Sequence, residues 1–288
     1  MAPFVIRLNR TPPTGPIRQM RTRSDIDFFL ILGLISSVYV LLIAFLVIAD
    51  IRYTTLQDFR NALQKPEIQH AFWLTLKTCT VSAFLSIWIG TPLAYLLSRH
   101  RFRGDWLIDT IVDIPIVLPP LVLGLSLLIL FHLPINGWEL ENWFRDDVGF
   151  PVTYRWPAVV LSQFAVACAF AIRTMRVTFD QIDRRPEDVA RTLGCTRLQA
   201  FLQIALPQAI RGETAAFTIA WARALGEFGP ILVFAGATRF RTEVLSTTVF
   251  LELSIGNLEA AVAVSLLMVA MAMVILMILR LVGLGVRG

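Results

Sequence analysis

The sequence predicts an all-α polytopic membrane protein with six transmembrane helices, and three observations carry that reading. Hydrophobic residues make up 56% of the 288 and charged residues only 16%, where a soluble domain is about 25% charged. Several runs reach the roughly 20 apolar residues that a helix needs to cross hydrocarbon. Basic residues gather in alternate loops between those runs. A mean hydropathy of +0.66 agrees, and a chain this apolar cannot clothe itself as a soluble enzyme. Disorder is equally excluded, since it requires low hydrophobicity and high net charge. The net charge of +5 would raise a nucleic-acid question in a soluble protein. Here the basic residues serve topology, and no nucleic-acid partner is expected.

The predicted spans cover 28–49, 71–97, 106–131, 156–172, 214–236 and 260–279. The first is uncharged and too long for the apolar core of a cleavable signal, which runs about 7–15 residues; it is read as a span. The second carries Lys77 near one end, where its stem can snorkel, and is interrupted by Gly90 and Pro92. The third contains Asp109 and Asp113, whose i, i+4 spacing puts both on one face. Two carboxylates there call for a proton or for a basic group such as Arg99, Arg101 or Arg103. Pro115, Pro119 and Pro120 with Gly124 interrupt the same span. The fourth is closed by Arg173 and Arg176, the fifth holds Arg223 and Glu227, and the sixth is again uncharged.

Orientation follows from the loops. The side holding 1–27, 98–105, 173–213 and 280–288 carries seventeen Lys and Arg, and the opposite side seven. The richer side belongs in the cytoplasm. Both termini are therefore expected inside the cell membrane, with 1–27 a basic cytoplasmic tail, 28–282 the transmembrane domain and 178–207 a cytoplasmic loop within it.

An ionisable group in hydrocarbon costs at least about 2.5–3.5 kcal/mol and so requires a reason. Arg223 and Glu227, opposite in sign and four apart, are expected to turn one helix face inward. They either form a self-satisfied ion pair or support a pathway or gate. Gly226, Gly229 and Pro230 surround them, and small residues admit close helix approach. Breaks in a span are tolerated where they face protein or a cavity. Spans two, three and five, with Pro115, Pro119 and Pro120, are therefore expected to line a pathway.

The chain has two lysines, Lys65 and Lys77, and neither follows a GxxxxG run. It has no P-loop of its own. Cys79, Cys168 and Cys195 show no metal or disulfide spacing, and His70, His100 and His132 form no HExxH. No metal or cofactor is expected on the chain. Asp105, Asp109 and Asp113 could serve a metal-dependent intramembrane enzyme, and inverted repeats would mark a secondary transporter. Neither the accompanying enzyme motif nor such repeats is found in the sequence.

In the 178–207 loop, Pro186 suits the first turn of a helix, and Glu187 and Asp188 sit at its positive end. Gly194 turns the chain. A second amphipathic stretch places Leu198, Phe201, Leu202 and Ala205 on one stripe, and Pro207 is expected to end it. Two short helices joined by a glycine would make a compact hook.

The run Glu187-Asp-Val-Ala-Arg-Thr-Leu-Gly194, then nine residues, Ile204, one residue and Leu206-Pro207 resembles the EAA loop of type I ABC importer permeases. That family pattern reads EAA, three residues, Gly, nine residues, Ile, one residue, Leu-Pro. Asp188 and Val189 depart from it conservatively, while Ala190, Gly194, Ile204, Leu206 and Pro207 match. The resemblance covers about 70–280. Leu93–Arg99, Pro115–Gly124 and Ala222–Gly229 are similar to segments of the molybdate, tungstate and sulfate group; iron and phosphonate permeases are close relatives. The resemblance implies a coupling helix between spans four and five that docks on a separate ABC ATPase, where ATP and Mg would bind. It also implies an extracytoplasmic substrate-binding protein and a second permease copy, identical or similar, with a small oxyanion carried inward. The stretch 133–155, with Trp138, Trp143, Asp146 and Asp147, is longer than that group leads one to expect and reads as an outer cap.

Overall fold

A computed structural model describes residues 23–100, 103–135 and 137–285. The chain divides into two units, Met1–Ala49 and Asp50–Gly288. The first is dominated by helix α1 (Arg23–Tyr53), whose stretch Phe28–Tyr53 keeps its apolar side chains exposed, a surface suited to lipid. The basic tail expected over 1–27 lies, as far as residue 22, outside the described residues.

The second unit contains α2 (Leu56–Gln64), α3 (Pro66–Arg99), α4 (Asp105–Val117), α5 (Pro120–His132), α6 (Leu140–Asp146) and α7 (Trp156–Gln181). There follow α8 (Arg185–Thr192), α9 (Arg197–Ala200), α10 (Leu206–Leu225), α11 (Leu245–Ser254) and α12 (Leu258–Gly285). Prolines set many of the starts: α3, α5, α7, α8 and α10 each hold one in the first turn. There the missing N–H would have had no helical partner anyway.

Small residues fix the centre. Ala71, Ala83 and Ala94 of α3, Ala167 and Ala171 of α7, and Ala209, Ala216, Ala220 and Ala224 of α10 are buried, so three backbones approach closely without a large hydrophobic driving force. Hydrogen bonds between helices add to the packing. Ser82 Oγ donates to the Val160 carbonyl at 3.0 Å, and Trp221 Nε1 donates to Thr80 Oγ1 at 3.3 Å. A Cβ at Gly90 would lie 3.3 Å from the Ile172 side chain. Gly90 thus marks a close approach of α3 to α7, and the interruption expected at Gly90 and Pro92 does not occur: α3 runs unbroken through both.

The six expected spans are not all found as single long apolar helices among the described residues. Among the described residues, four helices are long and apolar enough to cross a membrane: Phe28–Tyr53, Pro66–Arg99, Trp156–Gln181 and Leu258–Leu281. The count rises to five if α4 and α5 form one broken span, their axes bent by 114°. Pro119 and Pro120 cause that break, because neither supplies an N–H and the residue before a proline is driven to extended backbone; Leu118 sits at φ −63°, ψ 136°. The expected fifth span is likewise not one helix. α10 carries Arg211, Glu213 and Arg223 and stops at Leu225. After a break the chain resumes as a short helical segment that closes in the π-helical turn Ile231–Ala235.

The stretch 133–155 is folded. The buried Glu141 carboxylate accepts the N–H of Val152 at 3.2 Å, the N–H of Thr153 at 3.0 Å and the Thr153 hydroxyl at 2.8 Å. This holds α6 on a core of Phe131, Val159, Ile231 and Phe234, while Trp138, Trp143, Phe150 and Tyr154 remain exposed.

Candidate coupling hook and broken-helix crossing

The hook forms as its residues dictate, with one change. α8 starts beside Pro186 with Glu187 and Asp188 in its first turn. Gly194 then takes φ +97°, a left-handed turn that a glycine adopts without steric penalty. The N–H groups of Gly194 and Cys195 close back on the carbonyls of Arg191 and Ala190 at 3.2 and 3.0 Å, the usual way to satisfy a helix end. Thr196 and Gln199 form a capping box at the start of α9. Pro207 does not end the second helix as expected. α9 passes through a π-helical turn, Phe201–Ala205, directly into α10, and Pro207 lies in the first turn of α10. The widened turn accommodates a residue that has no N–H to give.

The amphipathic stripe splits accordingly. Ala205 is buried and the Phe201 ring packs tilted against Tyr95, 4.6 Å between ring centres, whereas Val189, Leu193, Leu198 and Leu202 are exposed. Ala190 is buried, Asp188 and Pro207 are exposed, and Ile204 and Leu206 are half-buried.

Glu187 is the anchor. Its carboxylate accepts the Tyr95 hydroxyl at 2.6 Å and Arg99 Nε at 3.0 Å. The Arg99 guanidinium also donates to the carbonyls of Phe179 at 2.8 Å and Ile182 at 3.2 Å, at the end of α7. Arg99 and Glu187 are 5% and 8% exposed, so removing either leaves a buried charge without its partner, a loss on the order of 3–5 kcal/mol. The hook is thereby fastened to α3 and α7. The motif supplied Glu187 but not its partners; the Tyr95–Arg99 spacing of one helical turn was the available signal.

At the far end of α10 the two broken segments meet. A Cβ at Gly124 would lie 2.7 Å from Pro230 Cα, and one at Gly229 would lie 2.7 Å from Pro120 Cβ. The start of α5 and the segment after α10 therefore touch glycine to proline, twice. A cavity of about 300 Å³ opens beside this crossing, lined by Pro119, Pro120, Arg223, Gly226, Glu227 and their neighbours. The structure brings Arg223, Glu227, Pro119 and Pro120 together around this cavity. Pro115 sits inside α4, apart from that lining. Arg223 and Glu227 pair at 2.7 Å, but they do not share a helix face, because Glu227 lies in the break beyond Leu225. Phe170 of α7 faces the guanidinium at 5.8 Å, and Ser246 donates to the Glu227 carbonyl at 2.7 Å.

Glu227 is 1% exposed and Arg223 31%, which predicts an asymmetry. Arg223→Met strands a buried carboxylate and is expected to destabilise by about 3–5 kcal/mol. Glu227→Gln leaves a cation that reaches a cavity and costs less. Unfolding midpoints in detergent check the order, and equal losses would contradict it.

Asp109 and Asp113 find partners other than those anticipated. Arg173 Nε donates to Asp113 at 2.6 Å, with a second contact from the same guanidinium, and Arg176 pairs with Asp109. α7 continues past residue 172, so both arginines lie on its helix facing α4, whereas Arg99 is committed to Glu187 and Arg101 lies outside the described residues. Carboxylates held by guanidinium groups are poorly disposed to bind a metal.

Apolar helices of spanning length, a broken-helix crossing and a helical hook suit the membrane-embedded part of a transporter. Residues 86–287 match the family described as binding-protein-dependent transport system inner membrane component, and the chain belongs to that family. It is 30% identical over 219 residues to the sulfate transport system permease protein CysT of Salmonella typhimurium, covering 76% of this chain and 78% of that protein. It is 31% identical over 218 residues to the molybdenum transport system permease protein ModB of Escherichia coli, covering 75% of this chain and 93% of that one. Among solved structures, a bacterial alginate ABC transporter in complex with an alginate pentasaccharide-bound periplasmic protein shares the fold. Its TM-score is 0.68 at 20% identity, over 90% of this chain and 96% of that chain.

Proposed function

We propose that the chain is the permease subunit of an ATP-driven importer of a tetrahedral oxyanion (sulfate, molybdate or tungstate), with both termini in the cytoplasm of a cell whose inner membrane it spans. The observation that carries the reading is the anchored hook. Glu187 is bound into α3 and α7 while Val189, Leu193, Leu198 and Leu202 face outward. An exposed apolar set on a short, stapled element suits docking in a groove of a partner.

That partner is an ABC ATPase, which holds ATP and Mg; this chain, without a P-loop, supplies only the lever. Glu187, Asp188, Ala190, Gly194, Ile204, Leu206 and Pro207 form or support the hook. α9 passes into α10 without interruption, and α10 is 20 residues long, a rod of about 30 Å at 1.5 Å per residue. It joins the hook to the crossing at Gly124, Gly229 and Pro230. Motion of the hook on ATP binding reaches Arg223 and Glu227 through that rod, and they support the gate with Pro119 and Pro120. A second permease copy, in a homodimer, completes the pathway, and an extracytoplasmic binding protein selects and delivers the anion. The exposed aromatic residues of the 133–155 cap support a docking role there.

The test is uptake by proteoliposomes holding the permease, its ATPase and its binding protein. ATP-dependent accumulation of labelled sulfate or molybdate is expected. Transport of ferric iron with neither anion carried would overturn the substrate assignment.

A further inference from the structure

The hook encloses a cavity of about 230 Å³ against the end of α3, lined by Tyr95, Arg99, His100, Arg184, Glu187 and further residues of α8 and α9. Four of its lining groups are arginines and two are acids, and the charges are unequally spent. Arg99 and Glu187 neutralise each other at 2.8 Å. Arg184 donates to the carbonyls of Ser98 and Arg99. The Arg191 guanidinium has no hydrogen bond or ion pair among the described residues, and Asp188 is the one lining carboxylate left to answer it.

Arg197 meets His100 Nε2 at 3.3 Å. A guanidinium carries only donors, so Nε2 must accept, and the imidazole proton then sits on Nδ1. That nitrogen is buried and has no hydrogen-bond partner among the described residues. An orphaned buried donor is costly, and here it accompanies two under-used guanidinium groups around one cavity. What fits is an acceptor with several oxygens and a negative charge. The volume admits such an ion together with water, which occupies about 30 Å³ per molecule.

We propose that this cavity binds a tetrahedral oxyanion of the phosphate or sulfate type between Arg191, Arg197 and His100. Guanidinium groups pair with such anions through parallel N–H donors. Because Arg191 lies on α8, Arg197 on α9 and His100 at the end of α3, the bound anion links both arms of the hook to the span that anchors it. It removes the repulsion between the two arginines, and its occupancy sets how stiffly the hook follows its partner. The anion is either free in solution or the phosphate of an anionic lipid headgroup.

The experiment measures unfolding of the purified full-length chain in two arms. In detergent, inorganic phosphate, sulfate and molybdate are titrated at constant ionic strength against chloride. In phosphatidylcholine nanodiscs, phosphatidylglycerol is added stepwise. A saturable rise in the midpoint is expected in one arm, and which arm responds identifies the source. The double variant Arg191→Gln, Arg197→Gln should weaken that response at least tenfold in apparent Kd, whereas the exposed Arg241→Gln should not change it. Both arginines of the double variant are exposed, and its midpoint in chloride reports that it folds. No saturable response in either arm, or one that survives the double variant, would overturn the proposal. Uptake is not measured, so the outcome is independent of which solute is transported.

Discussion

Replacing Gly194 by proline is expected to abolish ATP-driven uptake while the permease still inserts and purifies as a folded protein. The residue is exposed and a Cβ there would meet nothing within 4 Å, so crowding is not at issue; its backbone is at φ +97°. Proline is fixed near −65° and has no N–H. It would both reverse the turn and remove the donor that now closes on the Arg191 carbonyl at 3.2 Å. α8 would then leave α9 at a different angle, and the exposed Val189 and Leu193 would be presented differently relative to α9. Gly194→Asn is the informative companion. Asparagine enters the left-handed region at a cost of about 1 kcal/mol and should retain most of the uptake. Inhibition by Asn as severe as by Pro would mean that something other than backbone geometry matters at this turn.

The second large effect is expected at the crossing. In Gly229→Val, the added Cβ meets Pro120 Cβ at 2.7 Å and the Leu121 nitrogen at 3.0 Å; in Gly124→Val it meets Pro230 Cα at 2.7 Å and the Pro230 oxygen at 3.0 Å. These neighbours are backbone or ring atoms and cannot swing aside as a flexible side chain would. Either substitution must part the two broken segments, with an overpacking cost of about 1–3 kcal/mol and a lowered unfolding midpoint. Uptake should fall further than stability alone explains, because the cavity of Arg223 and Glu227 is built on that contact. Gly33→Ala, at a site with no neighbour within 4 Å, serves as the control and should behave as the parent. Normal uptake by both valine variants would separate the crossing from the pathway.

Much of this architecture is written locally in the chain. The uncharged runs at 28–49 and 260–279 need only length and composition to be read, and both appear as helices. The hook was legible because Pro186, Gly194 and the spacing to Leu206-Pro207 each have a local structural meaning. Elsewhere distant partners decide the structure. Pro92 looks like a break in isolation, but α3 passes through it packed against α7. Pro207 looks like a stop, yet the π-helical turn before it lets the chain continue. The nearest loop offers Arg99, Arg101 and Arg103 to Asp109 and Asp113, but their partners come from residues 67 and 60 positions away on α7. The signs and spacing of Arg223 and Glu227 mark them as a pair. Glu227 lies beyond the helix end in a segment that meets Pro120 at Gly229, a distant contact that no local pattern records.

The most direct test of the central claim is affinity purification of the tagged permease from detergent-solubilised membranes of its native host, with quantitative mass spectrometry of what accompanies it. An ABC ATPase in near-equal amount is predicted, retained by Arg145→Gln on the far loop and lost from Gly194→Pro. A folded permease that brings down no ATPase, or one whose ATPase is held equally well by Gly194→Pro, would contradict the assignment of residues 185–207 as the coupling hook.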